Sequence, residues 1–497
     1  MKNIKKLISN LNNPGENLSQ RAVRSGFWVF TLRIVQQLFG LARLVILARI
    51  LAPHDFGLMG IALLTMATLE TFSQTGFQAA LIQKKEDIKS HLDAAWTVLI
   101  LRGFILFTIL YLVAPYAASF FNAPEAKPII QVIGFAILLQ AFTNIGVIYF
   151  QKELEFNKEF IYQFAGTLAD FIVAVSAVLI LRNVWALVFG LLAGNAAKCF
   201  VSYLIHPYRP HLSSDLGKAK ELFGFGKWIL GSSILVFLLS QGDDAFVGKI
   251  LGVTALGFYQ MAYRIISLPA TEITHVISQV TFPAYSKLQE NLVELRRAYS
   301  QTFQLTCLLS LFLAGLIFSL SYEITVVLLG EKWIPIVPVI QVFAFGGLIR
   351  ALGSTISPIF QAIGQPRIVT QMQVAVLISL AVLIYPLTIK YGIVGTALAS
   401  TGAALIPNFW FVRKLVATLK YPSLQLLREG GYPSIAAIIM SLAIFSFKPY
   451  LSNPGGILAL VFLVLMGFMI YFLIIYFFIK FSSYEAGSIL RRLIKSI

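Results

Sequence analysis

Apolar runs long enough to cross a membrane follow one another through almost the whole chain, and this succession constrains the fold more than any other feature. A hydrocarbon layer of ~30 Å needs about 20 apolar residues per helix. Windows of about 19 residues divide the sequence into about 14 such runs, the first over 24–50 and the last over 456–479. With 58% hydrophobic residues, 12% charged residues and a mean hydropathy of +0.80, a water-soluble globule is excluded. The chain reads as an all-α polytopic membrane protein.

The formal charge of +17 does not mark a nucleic-acid partner, because the basic residues are scattered over short loops and form no basic domain with aromatic platforms. Topology explains the excess. Loops after even-numbered runs hold most of the cations, among them Lys84, Lys85, Lys152, Lys158, Arg296, Arg297, Arg413 and Lys414. Loops after odd-numbered runs hold only Arg49, Lys127, Arg182, Lys249, Lys332, Lys390 and Lys448. By the positive-inside rule both termini are expected in the cytoplasm, which requires an even number of spans. The first residues lack the apolar core and cleavage site of a signal peptide.

The first run, Arg24 to Leu51, carries Arg33, Arg43 and Arg49. A cation in the hydrocarbon layer costs about 2.5–3.5 kcal/mol on insertion scales, so each needs polar surroundings. At about 100° per residue, Arg33, Gln36, Gln37, Gly40 and Arg43 share an arc of roughly 120°. The helix therefore reads as apolar toward lipid and cationic toward a wet interior, with the terminal Arg49 snorkelling to water. The eighth run sets Arg264, Ser267, Thr271, His275, Ser278 and Gln279 on one broad face, and the tenth sets Arg350, Ser354, Ser357 and Gln361 at helical spacing. Such stripes either join helices through hydroxyl and amide hydrogen bonds or line a cavity. Guanidinium groups among hydroxyls and amides suit phosphate oxygens and sugar hydroxyls, since Arg offers planar bidentate donors. The candidate substrate-binding set is Arg33, Arg43, Arg264, Arg350, Gln36, Gln37 and His275.

Carboxylates in the apolar runs are few: Glu70, Asp170, Asp243 and Asp244. Each is either an ion-coupling site or a salt-bridge partner of an arginine, and a carboxylate held beside Arg stays ionised. For Glu70 and Asp170 pairing is the favoured reading. Lys198 has no assignment, and Arg102 is placed snorkelling toward the cytoplasm. Cys199 and Cys307 lie inside apolar runs and form no disulfide framework or metal motif. The histidines show no metal spacing, and no phosphate-binding loop or nucleophile elbow occurs. No cofactor, metal or catalytic residue is expected, and the chain reads as a non-enzyme.

The segment Ala48 to Ala62, ARILAPHDFGLMGIA, recurs as Gly248 to Ala262, GKILGVTALGFYQMA, with Ile50/Ile250, Leu51/Leu251, Gly57/Gly257 and Ala62/Ala262 in register. Phe150 and Gln151 are echoed more weakly by Phe360 and Gln361. Both echoes span an even number of runs, so the two halves share an orientation, as in transporters built from parallel repeats. The expected organisation is a cytoplasmic tail over 1–23, an amino-terminal lobe of helices 1–6 over 24–206 and a cytoplasmic linker over 207–222. A carboxy-terminal lobe of helices 7–12 over 223–417, helices 13–14 over 430–480 and a cytoplasmic tail over 481–497 complete it. A cavity is expected between the two six-helix lobes.

LARILAPHDFGLMGIA, QTGFQAALIQKKE and FGKWILGSSILVFLLSQGDDAFVGKILGVTALGFYQMAYRIISLP together resemble the polysaccharide transporter branch of the multidrug/oligosaccharidyl-lipid/polysaccharide exporter superfamily. The likeness is to Wzx-like oligosaccharide flippases of the colanic acid or lipopolysaccharide export type. It runs from about Ser25 to Arg428 and is most specific at the LxPxDFG turn and the LGxxALGxYxxAYR stretch. The resemblance implies a MATE-like bundle of about 14 helices in the bacterial cytoplasmic membrane. Its cargo would be an undecaprenyl-pyrophosphate-linked oligosaccharide, with a polysaccharide polymerase and other assembly proteins as partners beside the membrane lipids. The rival functions on the same fold are a drug or organic-cation antiporter, which needs cavity carboxylates, and a flippase of cell-wall lipid precursors.

Overall fold

The computed structural model describes residues 18–481 apart from 75, 84–87, 214 and 452–455, with side chains described except at 18–24, 79, 90, 216, 218–230, 232 and 268–280. Every regular element among the described residues is helical. Lipid offers the backbone no hydrogen-bond partners, so a spanning segment must satisfy its own, and a helix does this within one segment. Among the described residues ten helices are long and apolar enough to cross a membrane, and an eleventh span results if the bent pair Ala126–Ala141 and Ile145–Lys152 is taken as one. The protein is a multi-pass membrane protein.

The chain divides into two compact units, Met1–Phe237 and Leu238–Ile497. The first holds α1 (Leu18–Ile50), α2 (Pro53–Phe72), α3 (Phe77–Gln83), α4 (Lys89–Phe120), α5 (Ala126–Ala141), the short α6 (Ile148–Lys152), α7 (Phe156–Leu181) and α8 (Trp185–Ile205). α9 (Leu216–Ile250) runs across the boundary. Proline opens α2 at a position where its missing N–H is no loss, and Asp55 accepts the Ala52 N–H at 2.9 Å. Beyond α5, Asn144 accepts the Gly146 N–H at 2.9 Å, starting a new turn that bends the chain by 68°.

The tightest pairing in this unit is α7 on α8. Between helices in lipid the apolar effect contributes little, so close backbone approach through small residues matters more. A Cβ on Gly190 would lie 2.6 Å from Asp170 Oδ1 and 2.7 Å from Ala174 Cβ, and one on Gly166 would lie 2.5 Å from Lys198 Cε. The two glycines thus leave the space that Asp170 and Lys198 occupy.

The second unit holds α10 (Val253–Leu288), α11 (Leu292–Leu328), α12 (Val337–Ala362), α13 (Pro366–Leu419), α14 (Ser423–Phe447) and α15 (Ile457–Phe481). Asn291 caps α11 by accepting the N–H groups of Val293 and Glu294. α12 and α14 both pack on α11. α15 joins this layer through Leu463, Met466, Tyr471 and Ile475, and the Tyr471 hydroxyl donates to Leu308 O at 2.8 Å. At Gly392, with φ +59° and ψ −139°, α13 leaves helical geometry.

The sequence echoes fall on matching backbone turns. α1 ends at Ile50 and α9 at Ile250, and the next helices open at Pro53 and Val253. Leu51 N–H donates to Leu47 O at 2.8 Å, and Leu251 N–H to Val247 O at 2.9 Å. In the second echo Phe150 and Phe360 are both fully buried. Glu155 N–H closes on Phe150 O at 2.7 Å and Gln365 N–H on Phe360 O at 2.8 Å, each around a residue of positive φ, Leu154 at 58° and Gly364 at 74°. These are helix C-caps with a left-handed residue.

Candidate functional site

On α1, Arg33, Gln36, Gln37 and Arg43 are all half-buried. Arg43 Nε lies 3.0 Å from Asp170 Oδ2 of α7, an ion pair by distance whose N–H is not aligned on the oxygen. Beside it, Phe39 packs edge-on against Phe164 and Phe171 at 5.7 and 5.2 Å, so this face of α1 turns inward to α7.

Glu70 lies on α2 within the electrostatic reach of Arg102. Arg102 does not snorkel to water. Its guanidinium donates to Ser73 O at 2.9 Å, Glu70 O at 3.0 Å and Ser73 Oγ at 2.9 Å. The last carbonyls of a helix lack intrahelical donors and carry its negative dipole end, so Arg102 of α4 serves as the cap of α2.

In the second unit, Asp243 accepts from the Tyr259 hydroxyl at 2.7 Å and Asp244 from Gln260 Nε2 at 2.9 Å. The guanidinium of Arg350 stands 5.4 Å from the Tyr263 ring centre and within electrostatic reach of Asp243. The structure thus gathers Asp243, Tyr259, Tyr263 and Arg350 where α9, α10 and α12 meet. Arg264 is exposed. The side chain of His275 lies outside the described residues.

The residues that sequence reasoning missed line a cavity of about 450 Å³ inside the first unit. Phe77 and Gln78 of α3, Gln140 at the end of α5, Gln151 of α6, Gln163 of α7 and Lys198 of α8 all face it. Glu159, also on its wall, accepts from Gln163 Nε2 at 2.9 Å and shares an electrostatic interaction with Lys198. The signal was present as a polar stripe, Glu159, Gln163 and Asp170, at helical spacing on the fifth run, facing Asn195 and Lys198 on the sixth. The connector after α8 is laced to the same wall: Asn144 Nδ2 donates to Tyr208 O at 2.7 Å, and Ser202 Oγ accepts from Asn144 N–H at 3.0 Å.

The helical arrangement is the fold of two kinds of lipid and drug transporter. It matches the lipid II flippase MurJ in an inward closed conformation with a TM-score of 0.74 and 15% identity, covering 90% of this chain and 98% of that one. An inward-facing multidrug resistance MATE family transporter of the MOP superfamily matches with a TM-score of 0.60 and 16% identity, covering 78% of this chain and 96% of that one. Residues 46–338 match the family model described as polysaccharide biosynthesis protein, and the chain belongs to that family. Among its relatives, the lipopolysaccharide biosynthesis protein WzxC of Escherichia coli K12 is 26% identical over 353 residues, 70% of this chain and 71% of that protein. The teichuronic acid biosynthesis protein TuaB of Bacillus subtilis is 27% identical over 280 residues, 56% of this chain and 58% of that protein. The succinoglycan biosynthesis transport protein ExoT of Rhizobium meliloti is 24% identical over 444 residues, 86% of this chain and 87% of that protein.

Proposed function

We propose that the chain is a flippase that carries a lipid-linked oligosaccharide, joined to its isoprenoid through pyrophosphate, across the bacterial cytoplasmic membrane by alternating access. The observation that carries the reading is membership in the polysaccharide biosynthesis family over residues 46–338. With the bent pair taken as one span, α13 as two about Gly392, and α9 and α10 counted, the spans number about 14, an even count that fits both termini in the cytoplasm. Helices 1–6 and 7–12 form the two repeated lobes, with 13–14 appended.

Arg33 and Arg43 in the first unit and Arg264 and Arg350 in the second are the cations offered to the pyrophosphate, with Gln36, Gln37 and His275 as hydrogen-bonding partners. Arg43 is held in place by Asp170, which presents its guanidinium at the expense of part of its charge. Asp244, hydrogen-bonded to the neutral amide of Gln260, and Asp243, hydrogen-bonded to Tyr259 though within electrostatic reach of Arg350, are the carboxylates offered to ion coupling, whereas Glu70 lies beside Arg102 and Asp170 beside Arg43.

The test is restoration of surface glycan in a strain that makes this glycan's lipid-linked repeat but lacks the chain. The wild-type gene restores it. Arg33→Ala, Arg264→Ala and Arg350→Ala abolish export at normal membrane levels, and the Lys replacements weaken it by keeping charge while losing the bidentate fork. Full export by all three Ala variants defeats the cationic-site reading.

A further inference from the structure

The cavity of about 450 Å³ in the first unit plays no part in the reading above. Its volume lies in the range of small-molecule sites and is far more than a single water needs. Its position is equally informative. The walls come from α3, α4, the end of α5, α6, the start of α7 and α8, near Lys152 at the end of α6, Lys158 in the first turn of α7 and Arg209 in the connector after α8. The basic-residue count assigns that face to the cytoplasm.

The lining chemistry narrows the occupant. One cation, Lys198, and one anion, Glu159, face the space, so it has little net pull on an ion of either sign. Amides dominate instead. Among the described residues the side-chain amides of Gln78, Gln140 and Gln151 make no hydrogen bond, and Asn195 spends its Nδ2 on Leu191 O at 2.8 Å, leaving its side-chain carbonyl unspent on the cavity wall. An amide both donates and accepts, and a sugar hydroxyl does the same. Phe77 and Tyr162 add aromatic surface of the kind that covers the apolar face of a pyranose ring. The Lys198 stem lies across the bare backbone of Gly166, where a Cβ would come within 2.5 Å of Cε and 2.6 Å of Cγ. That fixes where the amine enters the cavity.

We infer that this cavity binds a sugar residue of the cargo's glycan, held by the amides of Gln78, Gln140, Gln151 and Gln163 and by the Lys198 amine. The inference rests on the flippase reading and deepens it. A subsite for glycan inside the amino-terminal unit separates recognition of the sugars from recognition of the pyrophosphate, so that one cationic set serves any lipid carrier while this cavity selects the glycan.

The test uses the full chain in lipid nanodiscs, with glucose, galactose, N-acetylglucosamine and glucuronic acid as free probes, read one at a time by saturation-transfer NMR. At least one probe binds saturably, and Gln140→Leu combined with Gln151→Leu weakens it about tenfold, the loss expected for one or two hydrogen bonds. Neither side-chain amide hydrogen-bonds another described residue, so the double variant keeps the fold; an unchanged melting temperature checks this. Gly166→Val, which displaces the Lys198 stem, gives an independent loss of binding. Absence of saturable binding by all four probes, or equal affinity in the double variant, overturns the inference. The same variants are scored for glycan export in the strain described above. Wild-type protein that restores export while the double variant exports at the full rate removes the cavity and leaves the flippase reading standing. Wild-type protein that binds sugar but restores no export does the reverse.

Discussion

The phenol of Tyr208 donates a hydrogen bond of 2.6 Å to Oδ1 of Asp93, fastening the connector that follows α8 to the first turns of α4. The same oxygen accepts the His211 N–H at 2.8 Å, and Thr97 Oγ1 accepts the Ser213 N–H at 2.9 Å. Burial and the neighbouring carboxylate raise the Tyr208 phenol above its usual range, so it remains a donor at every physiological pH. Asp93→Ala therefore frees the segment 206–213. Loss of two hydrogen bonds to a charged acceptor, about 1.5–3 kcal/mol each at most, predicts amide exchange faster by about tenfold or more in that segment. Unchanged exchange rules out the strap.

A second prediction concerns acidification. His206 stacks on Tyr149 with rings 5.6 Å apart and 1° from parallel, and its Nδ1 accepts the Tyr208 N–H at 3.1 Å. Burial lowers its pKa from 6.5, the Lys158 charge lowers it further, Glu155 opposes, and Arg209 adds to the lowering. The folded form therefore prefers the neutral ring. Its contribution is complete above the unfolded value of about 6.5 and is lost as pH falls through the lower folded value. Protection factors in 206–213, corrected for the intrinsic pH dependence of amide exchange, should fall as the pH drops below the unfolded value, and His206→Phe should remove that dependence. A pH-independent wild type refutes the assignment.

Arg43 and Asp170 separate a structural role from a binding role. Arg43→Ala removes the cation 3.0 Å from the Asp170 carboxylate, half-buried over Gly190, and leaves Lys198 within its electrostatic reach, a loss of about 1–3 kcal/mol after allowance for partial exposure. Arg43→Gln with Asp170→Asn restores most of the melting temperature by removing both charges. If Arg43 also meets the cargo, this double variant stays folded yet exports poorly. Full export in it assigns Arg43 to scaffolding alone.

Glu429 is the most heavily hydrogen-bonded carboxylate of the second unit. Oε1 accepts from Ser300 Oγ, from Gln304 Nε2 at 3.0 Å and from Gln425 Nε2 at 2.9 Å, and Oε2 accepts from Tyr421 OH at 2.7 Å. At the other end of α14, Lys448 Nζ lies 2.8 Å from Glu323 Oε2. Both contacts tie the appended helix to α11. Glu429→Ala strands buried donors and should cost about 2–4 kcal/mol, read as lower thermal stability of the purified protein. Tyr421→Phe should cost about half as much. A melting temperature insensitive to both would falsify the anchoring.

Much of the architecture was legible because lipid admits few solutions: apolar length predicts helices, and the residues echoed at Leu51 and Leu251 fall on matching turns. The stripe on α1 was equally legible in its polarity, yet periodicity does not tell a side chain that faces a cavity from one that faces a carboxylate, so Asp170 could be favoured as a salt-bridge partner without Arg43 being named as the arginine it meets. Arg102 was misjudged because the carbonyls it caps belong to backbone, which leaves no trace in residue type. The amide-lined cavity was overlooked because its helical amides, Gln78, Gln140, Gln151, Gln163 and Asn195, come from five separate elements, one unremarkable residue from each.

The cap at Leu154 and its counterpart at Gly364 carry a consequence of their own. The same peptide path is traced with a branched side chain in one place and with none in the other, although left-handed geometry disfavours the former by about 1–2 kcal/mol. An ancestral doubling explains this: one gene segment copied in tandem, after which each copy drifted in residue type while its bend in the chain was inherited.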